Sequence, residues 1–490
     1  MLNHILDDSV RQYGSREALV FGEDRYNYTR LREMIERCAA GFEMYGANNG
    51  HAVALLLKNS PEFVFALLGA ARLGVPALLL DPGFKTFELR RIFSENRLAA
   101  AVCEPELLPR LEEVRALSGQ RFPIFVRGGS FAALLQAPAG PSVPHIRTDQ
   151  IATVQYSSGS TGIPKCVARS HQNLYWEAVD FNETTKVSAE DRFLCTIPLF
   201  HAHGLGNAFL ASLYAGATLV LTEEFNRAAV LELLERERIT VFPAVPFIFD
   251  VLVRYVRGET SKPKHRLHLV FSAGAPLAPE ISQGFHQQFG VYIRQLYGST
   301  EVGSASINLE ADIDSTLESV GRPMKNVRIE IFREDGSPTG QDEVGEVAIQ
   351  SSAMPAGYLR QPELTLQKFR DGFYWTGDLG RRSSRGLLYL TGRGPWLVSS
   401  SGEKVDPQEV EAVIAAYPKV KDVVVVGVPG HLGEQVVKAV VVPHESCLPQ
   451  EIVSYCRDKL ADFKIPRLVQ FVREIPRSPS GKILRKDLIV

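Results

Sequence analysis

Between residues 51 and 103 the chain repeats one rhythm, a short wholly apolar run followed by a stretch with helical spacing. Ala52–Leu57 reads as a buried strand, and Pro61–Leu73 as a helix opened by its proline. Val75–Leu80 is a second strand, Thr86–Glu95 a helix and Leu98–Cys103 a third strand. A strand with one wet face alternates apolar and polar residues. Continuously apolar strands separated by helices call for a parallel sheet covered on both faces.

The rhythm returns after a proline-rich connection at 137–149. Phe193–Ile197, Ala217–Leu221, Thr240–Phe242, Leu267–Ser272 and Tyr292–Leu296 read as strands, with a helix at Arg227–Glu237. Two such blocks predict two similar α/β layers side by side, without a sequence-level repeat. After about residue 320 glycines multiply (Gly336, Gly340, Gly345, Gly357, Gly372), predicting a β-rich subdomain on one side. Residues 394–402 read as a linker and exposed loop. In the tail, Pro407–Ala416 and Pro449–Leu460 are helical, while Val423–Val426 and Val436–Val442 are strands. At 490 residues the chain is too long for one ordinary core. The expected fold class is α/β: a large N-terminal domain at 1–393, a hinge at 394–396 and a small α+β domain at 397–490.

Composition narrows the function by exclusion. Lys+Arg of 54 against Asp+Glu of 56 argues against nucleic-acid binding, so any basic patch is local. The six cysteines are scattered with no Cys-x-x-Cys pair, which suits free thiols in a reducing compartment rather than a disulfide framework or metal cluster. No apolar run reaches the length of a membrane span, and the first residues lack a secretory signal. A cytoplasmic enzyme without stable membrane insertion is expected. The sequence says nothing of oligomeric state.

Polar stretches punctuate the scaffold where strands are expected to end, the place where open α/β sheets bind ligands. Gln155–Val167 holds Ser157, Ser158, Gly159, Ser160, Thr161 and Gly162, then Lys165 after a proline. Small residues let backbone wrap an anion, and N–H groups and hydroxyls supply donors. The Gly-Lys-Ser/Thr phosphate loop is excluded, because Pro164 stands five residues after Gly159. By itself the tract could equally be a surface turn. Ser272-Ala273-Gly274-Ala275 follows a strand, as does Tyr297-Gly298-Ser-Thr300-Glu301. There Tyr297 offers a flat ring, Gly298 close backbone approach, Thr300 a hydroxyl and Glu301 an oxygen ligand for Mg²⁺. Asp378 can accept both hydroxyls of a ribose or cap a helix or turn; Arg393 alone could equally be a surface ion pair, and Lys482 alone reads as an ordinary solvated lysine.

In series these residues resemble the adenylate-forming superfamily, which includes acyl- and aryl-CoA synthetases, adenylation domains of peptide synthetases and firefly luciferase. The likeness spans about residue 10 to the end. It implies a two-step reaction: a carboxylate attacks the α-phosphorus of ATP and releases pyrophosphate, then a thiol displaces AMP. The resemblance places Ser157–Lys165 over the β- and γ-phosphates, Thr300 at the α-phosphate and Glu301 on Mg²⁺. Tyr297 would stack on adenine, with the Ala273–Gly274–Ala275 backbone lining that slot, and Asp378 and Arg393 would take the ribose. Lys482 would reach from the small domain to bridge carboxylate and phosphate. That domain would then swing, bringing the Ser399–Gly402 loop inward, where Gly402 leaves room for a pantetheine arm.

Two departures stand out. Pro395 occupies the family's pivot position, where a ring fixes φ, so rotation is expected to shift to Gly394 or Trp396 or to slow. Cys166 replaces a usual glycine, read as a packing change. Pro198–Gly204 resembles the border of the acyl pocket, with His201 the residue expected near the carboxylate. Phe200, Val245, Phe247, Gly303 and Ser306 are the expected lining, apolar or small, and no aspartate stands ready for a substrate ammonium. The expected activity is therefore ligation of a small-molecule acyl or aryl acid to coenzyme A. The alternative is loading of the phosphopantetheine of a separate acyl carrier protein. A nucleotide binder without catalysis is disfavoured by the presence of Lys482, Glu301 and Asp378 together.

Overall fold

The computed structural model describes residues 2–48, 50–138, 140, 145–157, 165–256, 263–393, 398–400, 403–430, 434–476 and 488–489. Ala52–Leu56 runs inside a six-stranded sheet, parallel to Ala77–Leu79 and Leu98–Cys103. Its unbroken apolar run follows from alternation. Val53 and Leu55 enter one hydrophobic cluster, and Ala52, Ala54 and Leu56 enter another on the opposite face. A second sheet of nine strands carries Arg192–Cys195, Thr218–Leu221, Val241–Ala244, Leu269–Ser272 and Ile293–Ser299 in parallel. An N-terminal hairpin, Glu17–Phe21 and Asp24–Asn27, extends this sheet; its strands had no counterpart in the sequence reading.

Helices fill the space between the sheets. In Pro61–Arg72 every residue except Glu62 is buried, because the helix is apolar all round and meets covering residues on every side. Ser60 caps it by accepting from the Phe63 N–H, and proline occupies the first turn. His171–Thr185 lies in the same layer, and one cluster joins Leu174, Ala178 and Phe181 to strand residues of both sheets. Arg227–Arg236, Pro246–Val256 and Pro279–Phe289 cover the outer face of the nine-stranded sheet. The expected β-rich subdomain is a five-stranded antiparallel sheet built on Gly345–Gln350 and Phe373–Arg382.

The tail forms a three-stranded sheet of Val420–Pro429, Gln435–Pro443 and Leu468–Phe471 with helices Pro407–Ala415 and Pro449–Arg457. One expectation is corrected here. Val398–Ser400 is not exposed loop but a strand paired with Glu403–Val405, with Val398 and Ser400 buried. Serine-rich composition hid it, since ladder hydrogen bonds do not depend on side chains. The hinge assigned to 394–396 lies outside the described residues.

Small and large domains meet at a buried charge cluster. Lys464, from the tail, donates to Glu88 of the Thr86–Glu95 helix at 2.7 Å and to Glu409 of its own domain at 2.8 Å. All three are below a tenth exposed. Burial works against the ammonium, but the two carboxylates outweigh it and raise its pKa.

Candidate active site

One cavity of about 1760 Å³ gathers most of the expected site. The large domain contributes Lys165, His201, Ala273, Gly274, Ala275, Tyr297, Gly298, Thr300, Glu301 and Asp378 to its lining. The strand Ile151–Ser157 pairs antiparallel with Lys165–Ser170, Ser157 opposite Lys165. Ser158, Gly159, Ser160, Thr161 and Gly162 lie outside the described residues between them, as do Gly402, Lys482 and Pro395 elsewhere.

Lys165 Nζ stands 3.8 Å from Glu301 Oε1, both side chains almost wholly buried. Tyr358 donates to the same carboxylate at 2.8 Å. Burial pushes the Glu301 carboxyl up, but the Lys165 charge and the Tyr358 hydroxyl more than offset it, leaving the pKa below the ordinary range. An ionised carboxylate is thus held beside a cation, Lys165, that directly follows the serine-glycine tract in the chain. No group of three or more His, Cys, Asp or Glu is clustered for a metal among the described residues. A lone carboxylate suits Mg²⁺, which keeps waters and phosphate oxygens as its other ligands.

The two residues expected to take the ribose are brought together by strand register. Asp378 lies within Phe373–Arg382 and Arg393 within Leu388–Arg393, directly opposite each other on the ladder. Asp378 therefore lies in mid-strand rather than at the expected strand end, whereas Arg393 closes its strand and the Tyr297–Glu301 stretch contains the end of its own at Ser299. Tyr297 donates its hydroxyl to Asp378 Oδ2 at 2.6 Å, joining the two segments across 81 residues. Only the backbone of Arg393 is described.

His201 faces the small domain. Its Nε2 is 2.9 Å from Glu403 Oε1, and over a third of its side chain opens to the cavity. Burial lowers the imidazole pKa, but Glu403 and Asp81 outweigh it and raise it above the ordinary 6.5. Glu403 is itself lifted by burial and brought below its ordinary 4.5 by His201. Together with Ser399, Gln435 and Lys459, it makes the small domain one wall of the cavity.

The acyl side departs from expectation. Phe200, Val245, Phe247 and Gly303 line the cavity, but Ser306 does not: it is wholly buried in Gly303–Ile307. Glu177 and Asn207, which the sequence reading passed over, stand among them with His203 of the Pro198–Gly204 stretch. Asn207 Nδ2 donates to His203 Nδ1 at 2.9 Å, so the ring donates from Nε2 to the Ala244 carbonyl at 3.1 Å. Burial holds His203 down to about 4, hence neutral. Helical spacing from His203 to Asn207 was the one available signal. Cys166 is buried in the outer cluster of the six-stranded sheet, in keeping with a packing role.

Comparison with known proteins identifies the family. The profile of the AMP-binding enzyme family matches residues 6–359, and that of the AMP-binding enzyme C-terminal domain matches 409–482. The chain is 30% identical to 4-coumarate–CoA ligase 3 of Oryza sativa subsp. japonica, covering 98% of this chain and 90% of the relative. It is also 30% identical to a long-chain-fatty-acid–CoA ligase of Mycobacterium tuberculosis, covering 95% and 92%. Among solved structures, an o-succinylbenzoate CoA synthetase variant from Bacillus subtilis, bound to a product analogue, superposes with a TM-score of 0.90 at 26% identity. That match covers 99% of this chain and 98% of the other. The chain belongs to the AMP-binding enzyme family, and it is an AMP-forming acid–thiol ligase.

Proposed function

We propose that the protein joins a carboxylic acid to coenzyme A in two steps. The acid's carboxylate attacks the α-phosphorus of ATP, forming the acyl-adenylate and expelling pyrophosphate. The CoA thiol then attacks the acyl carbon, AMP leaves with the bonding pair, and a thioester remains. The first step spreads negative charge over phosphoryl oxygens, so it needs fixed cations and donors rather than a covalent helper. Lys165 supplies a cation at the phosphate tract, and Thr300 a hydroxyl on the same wall. Tyr297 and Asp378 orient the nucleoside, Tyr297 by its ring and Asp378 by accepting ribose hydroxyls. Glu301 would hold Mg²⁺, which, when bound, neutralises charge on the phosphates. Lys482 is assigned the bridging cation of the first step on its sequence position.

The observation that carries this reading is the shared cavity. Residues suited to a nucleotide (Lys165, Glu301, Tyr297, Asp378) and residues of the small domain (Ser399, Glu403, Gln435) wall the same space. An acyl-adenylate made there stands where a thiol entering along the small domain meets it. The test is pyrophosphate release and thioester formation across alkyl and aryl acids, with and without CoA. Acid-dependent pyrophosphate release followed by a CoA thioester is expected. Pyrophosphate release with no CoA thioester from any acid, but transfer to a phosphopantetheinylated carrier protein, would replace CoA as the acceptor. No acid-dependent release at all would overturn the reading.

A further inference from the structure

The acid itself is read by a group the sequence reading passed over. Glu177 lies on the buried helix His171–Thr185 and is only 2% exposed, yet it lines the cavity. A buried carboxylate in an apolar layer requires a specific reason, because it costs several kcal/mol unless paired and hydrogen-bonded. Half of the reason is Arg169, wholly buried, whose Nη1 stands 2.6 Å from Glu177 Oε2. The other half is open. Oε2 is buried against the guanidinium as an ion pair rather than a hydrogen bond, and no hydrogen bond to Oε1 is found among the described residues either.

Two glycines make the space for that oxygen. A Cβ on Gly206 would fall 2.1 Å from Glu177 Oε1, and one on Gly303 would fall 2.9 Å from the same carboxylate. Gly206 belongs to the π-helical stretch Leu205–Leu210, and Gly303 opens the strand Gly303–Ile307. Beside them Ser304 donates to Asn207, and Asn207 donates to His203. His203 spends both ring nitrogens on protein partners. Glu177 Oε1 is left as the carboxylate acceptor of this part of the lining, with the neutral Gln155 Oε1 and Thr196 Oγ1 also without a hydrogen bond in the same cavity.

We propose that Glu177 is a specificity-determining residue, and that this ligase selects acids whose tail carries a neutral hydrogen-bond donor, a hydroxyl or N–H, over their hydrocarbon isosteres. The inference rests on the acid-activating reading above and names its substrate class. The Arg169 charge offsets that of Glu177, so the oxygen accepts a neutral donor without calling for a substrate cation. A hydrocarbon tail would leave Oε1 desolvated and unpaired, the situation that polar binding sites reject most strongly.

The test uses the full-length enzyme and matched pairs: benzoates and 3-phenylpropanoates carrying hydroxyl, methyl or aminomethyl at ring positions 2, 3 or 4, and ω-hydroxy alkanoates against the alkanoate one carbon longer. Pyrophosphate release with saturating ATP gives kcat/KM for each. At least one hydroxyl acid is expected to exceed its methyl partner by tenfold or more, mostly in KM, and to raise the enzyme's melting temperature more than that partner does. The cationic aminomethyl acid is expected not to exceed the hydroxyl one. Glu177→Gln strands the Arg169 charge and is liable to misfold, so the informative variant is the pair Arg169→Met with Glu177→Met. In that variant the hydroxyl-to-methyl ratio is expected to fall towards one while methyl acids are still activated. Methyl acids matching hydroxyl acids throughout, a preference for the ammonium tail, or a ratio unmoved in the double variant would each overturn the proposal. Activity on hydrocarbon acids in those cases would leave the ligase reading standing, whereas silence on every acid would count against that reading instead.

Discussion

Glu301 and Tyr297 are the residues whose individual removal separates chemistry from binding. Glu301→Gln keeps the shape and the Tyr358 contact but takes away the charge opposite Lys165. Pyrophosphate release is expected to slow by about a hundredfold or more, in line with the loss of one preorganised electrostatic contact, and to need more Mg²⁺ for half-maximal rate. An unchanged Mg²⁺ requirement would remove Glu301 from the metal. Tyr297→Phe keeps the ring proposed to stack on the nucleotide and removes only the hydroxyl that donates to Asp378. A neutral hydrogen bond contributes about 1 kcal/mol. The expected result is a severalfold rise in KM for ATP with kcat nearly constant, measured by initial rates; a fall in kcat at unchanged KM would contradict the orienting role.

At the scale of elements, the helix Thr86–Glu95 and the tail are fastened through Lys464, and the arithmetic there is severe. Replacing Lys464 by methionine leaves Glu88 and Glu409 buried and facing one another without a cation. Breaking a buried pair in this way costs about 3–5 kcal/mol, so Lys464→Met is expected to lower the midpoint of urea unfolding markedly. Replacing all three by Met and Leu is expected to restore most of it; a single variant as stable as the parent would mean the cluster is solvated. None of this was legible in the sequence, since Lys464 and Glu88 are 376 positions apart and each reads as a surface charge. By contrast, Thr86–Glu95 and Leu98–Cys103 emerged with the expected ends, because buried apolar runs and helical spacing are local signals. The cavity residues Lys165, Tyr297, Glu301 and Asp378 were legible through motif order. Glu177 was not. Its meaning depends on Arg169 and on two glycines from other elements, and a lone glutamate in a helical pattern looks like a wet face.

The molecule as a whole must bring two domains together over one cavity, and the His201–Glu403 pair makes that docking depend on pH. His201 lies above its ordinary 6.5 when docked, through Glu403 and Asp81 acting against burial. Its contribution is complete below 6.5 and is lost as pH rises through the raised value. Glu403 lies below its ordinary 4.5, so its contribution is complete above 4.5 and is lost as pH falls through the lowered value. Docking is therefore most favoured between these limits and weakens on going to alkaline pH. Because His201 is more than a third exposed, solvent screens the pair, and about 0.2–1 kcal/mol is the fitting scale. That converts to a change in the docked-to-undocked ratio of about fivefold at most. Lys464 stays charged across the same range, but burial raises the Glu88 carboxyl above its ordinary 4.5, so the Glu88 contact carries a pH dependence of its own. Fluorophores placed on each domain are thus expected to report a docked fraction that declines above neutrality in the parent. Glu403→Gln is expected to flatten the decline, and Glu88→Gln to lower docking while leaving the decline above neutrality in place. A decline of the same steepness in Glu403→Gln would assign the pH dependence to another group and leave the His201 contact without a role in docking.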